Sequence, residues 1–140
     1  ELWLCGEKID FDMGLDGHSD ADVALHALID ALLGAAALGD IGTLFPDSDP
    51  KYKGISSMLL LKSAAQKVLD RFSVINCDIT IIAQKPRLSG YIPQMRSNSS
   101  GVLGVLPGTV NVKATTEEKL GFTGSLEGIA AHAVCSLMQK

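Results

Sequence analysis

The chain has 140 residues, of which 46% are hydrophobic and 20% charged, and its formal net charge is -4. This composition predicts one globular domain over residues 1–140. The negative charge and the scattered basic residues argue against a nucleic-acid partner, and no apolar run reaches the about 20 residues that a membrane span needs.

The first predicted elements are a hairpin and a long helix. Residues 2–11 alternate loosely and break at Gly6–Glu7, which predicts a short hairpin followed by a loop over 12–17. A helix should then begin with Ser19 or Asp20 as its cap and stop at Gly39. Its apolar positions recur three and four residues apart, as a buried stripe requires. They are Val23, Leu25, Ala27, Leu28, Ala31, Leu32 and Ala35.

The rest of the chain alternates between helical and strand patterns. An acidic loop leads to a second helix that follows Lys53–Gly54, ends near Phe72 and buries Leu59, Leu60, Ala64, Val68 and Leu69. Residues 78–84 and 110–116 are rich in β-branched residues and predict strands. Pro93 favours a helix start between them, although the serines and glycine that follow have low helix propensity. A loop over 121–124 and a helix over 126–138 complete an α/β sandwich of helices on one sheet.

The long helix carries a line of polar residues. Asp22, His26 and Asp30 lie four residues apart and project from one side of the helix. His26 can be a hydrogen-bonded core histidine or a metal ligand whose second ring nitrogen is held by Asp30. A zinc site needs three or four protein ligands, and the sequence shows no tight cluster nearby. Both interpretations therefore stay open.

Both ends of this helix have residues suited to binding, with an ordinary alternative for each. His18-Ser19-Asp20 can be a helix cap or an anion site formed by amides, a hydroxyl and an imidazole. Asp40 lies two residues before Gly42, and a carboxylate beside a glycine suits a sugar diol. The acidic segment 47–49 also fits a solvated turn.

A further polar cluster follows the strand at 110–116. Residues 114–119 read Ala-Thr-Thr-Glu-Glu-Lys and combine hydroxyls, carboxylates and a cation. Such a set suits Mg²⁺ shared with phosphate oxygens. The alternative is a helix cap in which Thr115 and Glu118 form a capping box.

The cysteines indicate the redox state of the compartment, and the first residue indicates whether a segment precedes this sequence. Cys5, Cys77 and Cys135 are odd in number and widely spaced, which argues against a disulfide framework and against a CxxC metal pair. We therefore expect a reducing compartment. Because the chain begins at Glu1 rather than Met, we also expect an earlier segment.

Four stretches of sequence resemble one family. They are GHSDADVALHALIDALLGAAALGDIGTLFPDSDP, DITIIAQKPRL, IPQMRSN and VNVKATTEEKLGFTG. The chain resembles the 2-C-methyl-D-erythritol 2,4-cyclodiphosphate synthases of the non-mevalonate isoprenoid pathway over essentially its whole length. The resemblance implies a phosphorus–oxygen lyase that converts 4-diphosphocytidyl-2-C-methyl-D-erythritol 2-phosphate to the cyclic diphosphate and CMP. It places this reaction in the bacterial cytoplasm or a plastid-type organelle.

The resemblance also implies an assembly and a site. The assembly is a homotrimer of α/β (α+β) sandwiches, with helices on one side of a mainly four-stranded sheet, a central cavity, and active sites between subunits. His26 matches a ligand of zinc or another divalent transition metal, Glu118 matches a ligand of Mg²⁺ or Mn²⁺, and His18 and Thr116 match catalytic positions. The positions that match substrate contacts are His18, Ser19, Asp40, Gly42, Phe45, Asp47, Asp49, Ala83, Pro86, Arg87, Leu88, Ser89, Thr115, Thr116, Lys119 and Phe122.

The sequence departs from the family pattern at two places, and these departures support two alternative functions. The family's remaining zinc ligands lie in an N-terminal Asp-x-His motif upstream of Glu1, and Ser125 stands where the family commonly has an Arg facing the cavity. A chain without the upstream ligands would be a non-catalytic trimer that binds cytidine nucleotides or isoprenoid phosphates. A zinc-dependent phosphohydrolase is the third hypothesis.

Overall fold

The computed structural model of the protein describes residues 1–14, 21–52 and 56–140. Single 3-10 turns in these ranges lie at Pro50–Tyr52, Ser89–Tyr91 and Pro107–Thr109. The strands of the described residues are β1 (Leu2–Leu4), β2 (Glu7–Ile9), β3 (Phe72–Ile82), β4 (Val110–Thr115) and β5 (Ala130–Gln139). Their helices are α1 (Val23–Ala35), α2 (Ile41–Leu44), α3 (Ser57–Leu69), α4 (Ile92–Leu103) and α5 (Gly121–Gly124).

The described strands form two separate sheets. In the main sheet β3 is central, parallel to β4 and antiparallel to β5. β1 and β2 form the predicted hairpin, in which Leu4 pairs with Glu7. Its two turn residues, Cys5 and Gly6, have positive φ angles of 50° and 72°, the left-handed geometry that suits the twist of a tight hairpin.

The main sheet buries one face under the helices. Ile79 and Ile81 on β3 are completely buried, whereas Val134 on β5 is 70% exposed on the opposite face. α1 packs against β5 and β3, and α4 packs against β4. The predicted sandwich with helices on one side of a sheet is therefore confirmed. Within the described residues the main sheet has three strands, and the fourth expected strand is not among them.

The predicted helix over 126–138 is wrong, because this segment contains strand β5. The alanines of AAHAVCSLMQ favour a helix in isolation, but ten residues of the segment pair antiparallel with β3. Ala133, Cys135 and Leu137 pack toward the core, while Val134 and Met138 are exposed on the other face. Pairing with β3 and this two-residue alternation outweigh helix propensity.

The long helix is shorter at both ends than predicted. Its N-cap is Asp22, whose carboxylate accepts a hydrogen bond from the Leu25 amide at 3.0 Å. Ser19 and Asp20, the predicted caps, lie outside the described residues. The helix ends before Gly39, because Ala37 turns the chain with a φ of 59° and Leu38 N donates to Leu33 O at 2.8 Å.

The other elements largely follow the sequence. α3 is capped by Ser56 and ends at Leu69, so Phe72 already belongs to β3. The predicted buried face of α3 is correct except for Leu59, which is 56% exposed. The helix at Pro93 and the two predicted strands are confirmed, whereas residues 121–124 form one helical turn rather than a loop. No helix within the described ranges combines the length and apolar character of a membrane span.

Candidate active site

A groove lies beyond the carboxyl ends of the parallel strands β3 and β4. Its volume is about 490 Å³, within the range of small-molecule sites. Parallel strands open such grooves at their carboxyl ends, because the loops that follow both strands leave from the same edge of the sheet. The lining consists of Ala83, Gln84, Lys85, Pro86, Arg87, Leu88, Ser89, Ile92, Ala114, Thr115 and Thr116.

This groove brings together every predicted cytosine-contacting residue. Ala83 and Leu88 form its buried floor, and the Ala83 amide donates to Thr115 O at 3.0 Å, which ties the two walls together. The peptide bond between Lys85 and Pro86 is cis. The exposed lining residues among the predicted contacts are Arg87, Ser89, Thr115 and Thr116.

The turn after β4 has an unusual backbone. Glu118 and Lys119 have consecutive positive φ angles of 58° and 67°, a conformation that is costly for residues with side chains and is often found at functional sites. The Lys119 amide donates to Gln84 Oε1 at 2.9 Å, and the Glu118 amide donates to Thr116 Oγ1 at 3.3 Å. The capping-box alternative is wrong, because no helix begins at Thr115. Gln84, a groove residue missed at the sequence level, holds this turn.

The loop after α1 is organised by two carboxylates. Asp30 Oδ1 accepts from the Ile41 amide at 2.7 Å, and Asp40 Oδ1 accepts from the Thr43 amide at 2.8 Å. The bonds from Thr43 hold the pKa of the exposed Asp40 carboxyl below its usual value. Gly42 lies beside the same carboxylate, and a Cβ at this position would be 3.7 Å from Asp40 Oδ1, an ordinary van der Waals contact.

The acidic segment that follows is partly anchored. Phe45 packs into the core and is 7% exposed. Asp47 is exposed, while Asp49 accepts from the Lys51 amide at 3.1 Å and lies 3.9 Å from the Lys51 ammonium. These contacts fix the turn, and the exposed Asp47 carboxylate remains available to a ligand.

His26 is half-buried where α1 meets the start of α3. Its Nε2 atom lies 2.9 Å from the hydroxyl oxygen of Ser57, which is completely buried. Asp30 Oδ1, on the residue predicted to partner His26, accepts a hydrogen bond from the Ile41 amide of α2, and a contact between Asp30 and His26 stays a prediction. No local pattern links Ser57 to His26, which lies 31 residues earlier, and sequence reasoning missed this pair.

Asp22 secures the amino-terminal end of α1. Its buried carboxylate accepts from the amides of Cys5 at 2.9 Å and Gly6 at 2.7 Å, besides that of Leu25. Burial and the Asp22 charge raise the pKa of the Cys5 thiol. One side chain thus joins the hairpin turn to the helix that carries His26.

The residues that could hold metal are His26 and Glu118. Imidazole is a common zinc ligand, and a second ring nitrogen already engaged by a partner is typical of metal-bound histidine, so His26 fits one ligand position. Glu118 is an exposed carboxylate at the strained turn, where a hard cation can also bind phosphate and water. In the described ranges no three His, Cys, Asp or Glu side chains gather in a metal-binding group.

The remaining predicted residues are more dispersed. His18 and Ser19 lie outside the described residues. Phe122, on α5, is 55% exposed and does not line the groove. Ser125 Oγ lies 2.6 Å from Glu127 Oε2, so its hydroxyl has a nearby acceptor.

Two cysteines unexpectedly meet in the core. Cys77 and Cys135 face each other on β3 and β5, with their sulfur atoms 3.2 Å apart as free thiols. The Cys135 thiol donates to Cys77, and this bond raises the pKa of Cys135. The described cysteines are thus free thiols, as the odd, widely spaced set suggested.

Comparison with known proteins gives consistent matches. A model of the YgbB family matches residues 1–138. The chain is 57% identical over 138 residues to the 2-C-methyl-D-erythritol 2,4-cyclodiphosphate synthase of Lachnospira eligens, covering 98% of this chain and 75% of that protein. It is 58% identical to the bifunctional enzyme IspD/IspF of Campylobacter curvus, covering 98% of this chain but 37% of that protein's length. A structure of IspF from Plasmodium falciparum in complex with CDP superposes with a TM-score of 0.87 at 34% identity, covering 99% of this chain and 84% of that one.

Proposed function

The chain belongs to the YgbB family, and we propose that it is a 2-C-methyl-D-erythritol 2,4-cyclodiphosphate synthase of the non-mevalonate isoprenoid pathway. The observation that carries the proposal is the groove at the ends of β3 and β4, which gathers all the residues expected to hold cytosine. A related protein has been solved in complex with CDP, which has the nucleotide part of the expected substrate.

The reaction is an intramolecular phosphoryl transfer. An oxygen of the substrate's 2-phosphate bonds to the β-phosphorus of the diphosphate, the bond from that phosphorus to the bridging oxygen breaks, and CMP leaves with the electron pair. Because the attacking phosphate is already anionic, the reaction needs alignment and charge stabilisation more than a protein base.

Each part of the site has a separate task in this proposal. The groove holds the cytosine, and the Asp40 carboxylate beside Gly42 accepts from the ribose hydroxyls. Lys119 and the hydroxyls of Thr115 and Thr116 contact the phosphates, Thr116 next to the reacting group. His18 and Ser19 contact the phosphate and backbone of the substrate. Phe45, Asp47 and Asp49 belong to the segment over the methylerythritol part, and Phe122 lies at the cavity mouth.

Metal ions would neutralise negative charge on the phosphates of the substrate. His26 would hold zinc or another divalent transition metal and Glu118 would hold Mg²⁺ or Mn²⁺, and such ions neutralise the charge that develops on the phosphates. The zinc site requires further ligands from outside the described residues, because His26 supplies only one.

A homotrimer and a bacterial cytoplasmic setting belong to the same proposal. The main sheet buries one face under helices and leaves Val134 and Met138 largely exposed on the other. These two exposed apolar side chains, which lie on the same face as the Asp78–Lys113 ion pair, support packing against further copies around a central cavity. Many of the related synthases come from bacteria, including Lachnospira eligens.

The test is to incubate the full-length protein with 4-diphosphocytidyl-2-C-methyl-D-erythritol 2-phosphate, Mg²⁺ and Zn²⁺, and to follow the products by ³¹P NMR. We expect CMP and the cyclic diphosphate in equal amounts. Linear hydrolysis products would show a phosphohydrolase instead. Binding of substrate without CMP release would show a non-catalytic nucleotide-binding protein.

A further inference from the structure

The contact between α1 and α3 contains a polar pair in an otherwise apolar interface. His26 Nε2 and Ser57 Oγ lie 2.9 Å apart, and the Ser57 side chain has no exposed surface. Around them α1 and α3 pack through Leu28, Leu32, Leu60 and other core residues. A hydroxyl buried among such residues needs a hydrogen-bond partner, and the His26 ring provides one.

The Ser57 hydroxyl constrains the chemistry of His26. A neutral imidazole carries its proton on one nitrogen and accepts at the other, and the partner of one nitrogen decides which form is present. A ring held at Nε2 also has a fixed plane, and this plane sets the direction in which Nδ1 points. Partners of this kind orient metal-bound histidines and keep the correct tautomer.

We propose that Ser57 is a positioning residue that accepts a hydrogen bond from Nε2–H of His26, so that His26 ligates its metal through Nδ1. The metal in this statement rests on the proposed function, whereas the tautomer concerns His26 itself. Four residues further along α1, the Asp30 carboxylate accepts from the Ile41 amide through Oδ1 and so holds the loop after α1.

The neutral hydroxyl suits this location. A carboxylate in place of Ser57 would be buried between two helices, and a buried carboxylate needs several donors, as Asp22 shows with three amides. Serine holds the ring without adding a charge.

The chain offers a matched control in the preceding residue. Ser56 caps α3 by accepting from the Met58 amide at 3.1 Å, whereas Ser57 points into the interface with α1. Replacing either serine by alanine removes one hydroxyl from the same helix end. Only Ser57→Ala removes the hydroxyl that contacts Nε2 of His26.

The first measurement uses the full-length protein in its metal-free state. Long-range ¹H–¹⁵N NMR of the wild type should show His26 with its proton on Nε2. Ser57→Ala should give a mixture of tautomers, Ser57→Thr should restore the wild-type pattern, and Ser56→Ala should leave it unchanged. A wild-type His26 protonated on Nδ1, or a Ser57→Ala spectrum identical to that of the wild type, would overturn the proposal even if a variant folds poorly.

The second measurement is Zn²⁺ affinity by competition with a chromophoric chelator. We expect Ser57→Ala to bind Zn²⁺ about tenfold more weakly, Ser56→Ala to match the wild type, and His26→Ala to give the value for a missing ligand. Equal losses in Ser57→Ala and Ser56→Ala would overturn the proposal in favour of general loosening of α3. Absence of Zn²⁺ binding in the wild type would count against the proposed metal site, whereas the tautomer measurement would still decide the role of Ser57.

Discussion

The groove at the ends of β3 and β4 and the amino-terminal half of α1 organise their polar groups in opposite ways. The groove has exposed side chains, such as Arg87 and Ser89, above a buried floor. Near α1, the side chains of Asp22 and Ser57 are completely buried and hydrogen-bonded to other segments. We therefore expect substitutions in the groove to change ligand affinity, and substitutions at the start of α1 to change the stability of the fold.

The largest effect is expected from Asp22→Ala. This change leaves the amides of Cys5, Gly6 and Leu25 without their acceptor, and unsatisfied buried donors cost about 1–3 kcal/mol each. We expect the free energy of unfolding in urea to fall by about 3 kcal/mol, allowing for partial rehydration. Ser56→Ala, which removes a single cap bond, should cost about 1 kcal/mol. A loss no greater than that of Ser56→Ala would contradict the importance of this carboxylate.

The groove is tested by Ser89→Trp. An indole at this exposed lining position should occupy space needed by a cytidine nucleotide. We expect the affinity for CDP to fall at least tenfold, about 1.4 kcal/mol, in isothermal titration calorimetry. The free energy of unfolding should change by less than about 0.5 kcal/mol, because Ser89 is exposed. Unchanged CDP binding would show that the nucleotide lies elsewhere.

A smaller effect is expected where the groove depends on one internal hydrogen bond. Gln84→Ala removes the acceptor of the Lys119 amide and leaves the positive-φ turn at Glu118 less constrained. We expect a loss of about 0.5–1 kcal/mol in the free energy of unfolding and a several-fold weaker affinity for CDP. Gln84→Glu keeps the acceptor and should stay close to the wild type. If alanine and glutamate behave alike, the turn does not depend on this bond.

The smallest effect should come from a surface pair outside both regions. Lys113 donates to Asp78 at 2.7 Å and, with Asn111, lowers the pKa of the Asp78 carboxyl below its ordinary value of 3.8. The ionised carboxylate therefore stabilises the fold at neutral pH, and this contribution is lost as the pH falls below about 4. Because the pair is solvent-exposed, Asp78→Asn should cost at most about 0.5 kcal/mol at pH 7. Urea denaturation at pH 7 and pH 3 should show a smaller difference between the two proteins at the lower pH.

The fold was predictable wherever the local pattern and the tertiary environment agree. The hairpin, α3, α4 and the strands at 78–84 and 110–116 were predicted from local signals, which are the Gly6 turn, the apolar periodicity of α3, Pro93 and the β-branched residues of the strands. Strand β5 was not predicted, because Ala130–Gln139 consists largely of residues that favour helices. Its pairing with β3 selects the extended form. The cap of α1 was misplaced for a similar reason, since Asp22 is fixed by the hairpin as well as by its own helix.

The candidate site was predictable where it is local in sequence. Apart from Ile92, its groove residues fall in two short segments, 83–89 and 114–116, and the family resemblance covers both. The contacts between Ser57 and His26 and between Gln84 and the Lys119 amide span 31 and 35 residues, respectively, and follow from the packing of helices and the closing of a turn. No periodicity or spacing encodes such pairs.

The turn at Cys5 and Gly6 has a kinetic consequence. Its amides bond Asp22 on one side, while the Cys5 carbonyl accepts from the Asn98 side chain, 93 residues away on α4. Turn amides usually exchange their hydrogens with solvent rapidly, because local fraying exposes them. Here exchange requires the hairpin to separate from α1, so the amides of Cys5 and Gly6 should exchange deuterium as slowly as those of the central strand. Deuterium exchange at the two turn amides would thus measure how often the core opens.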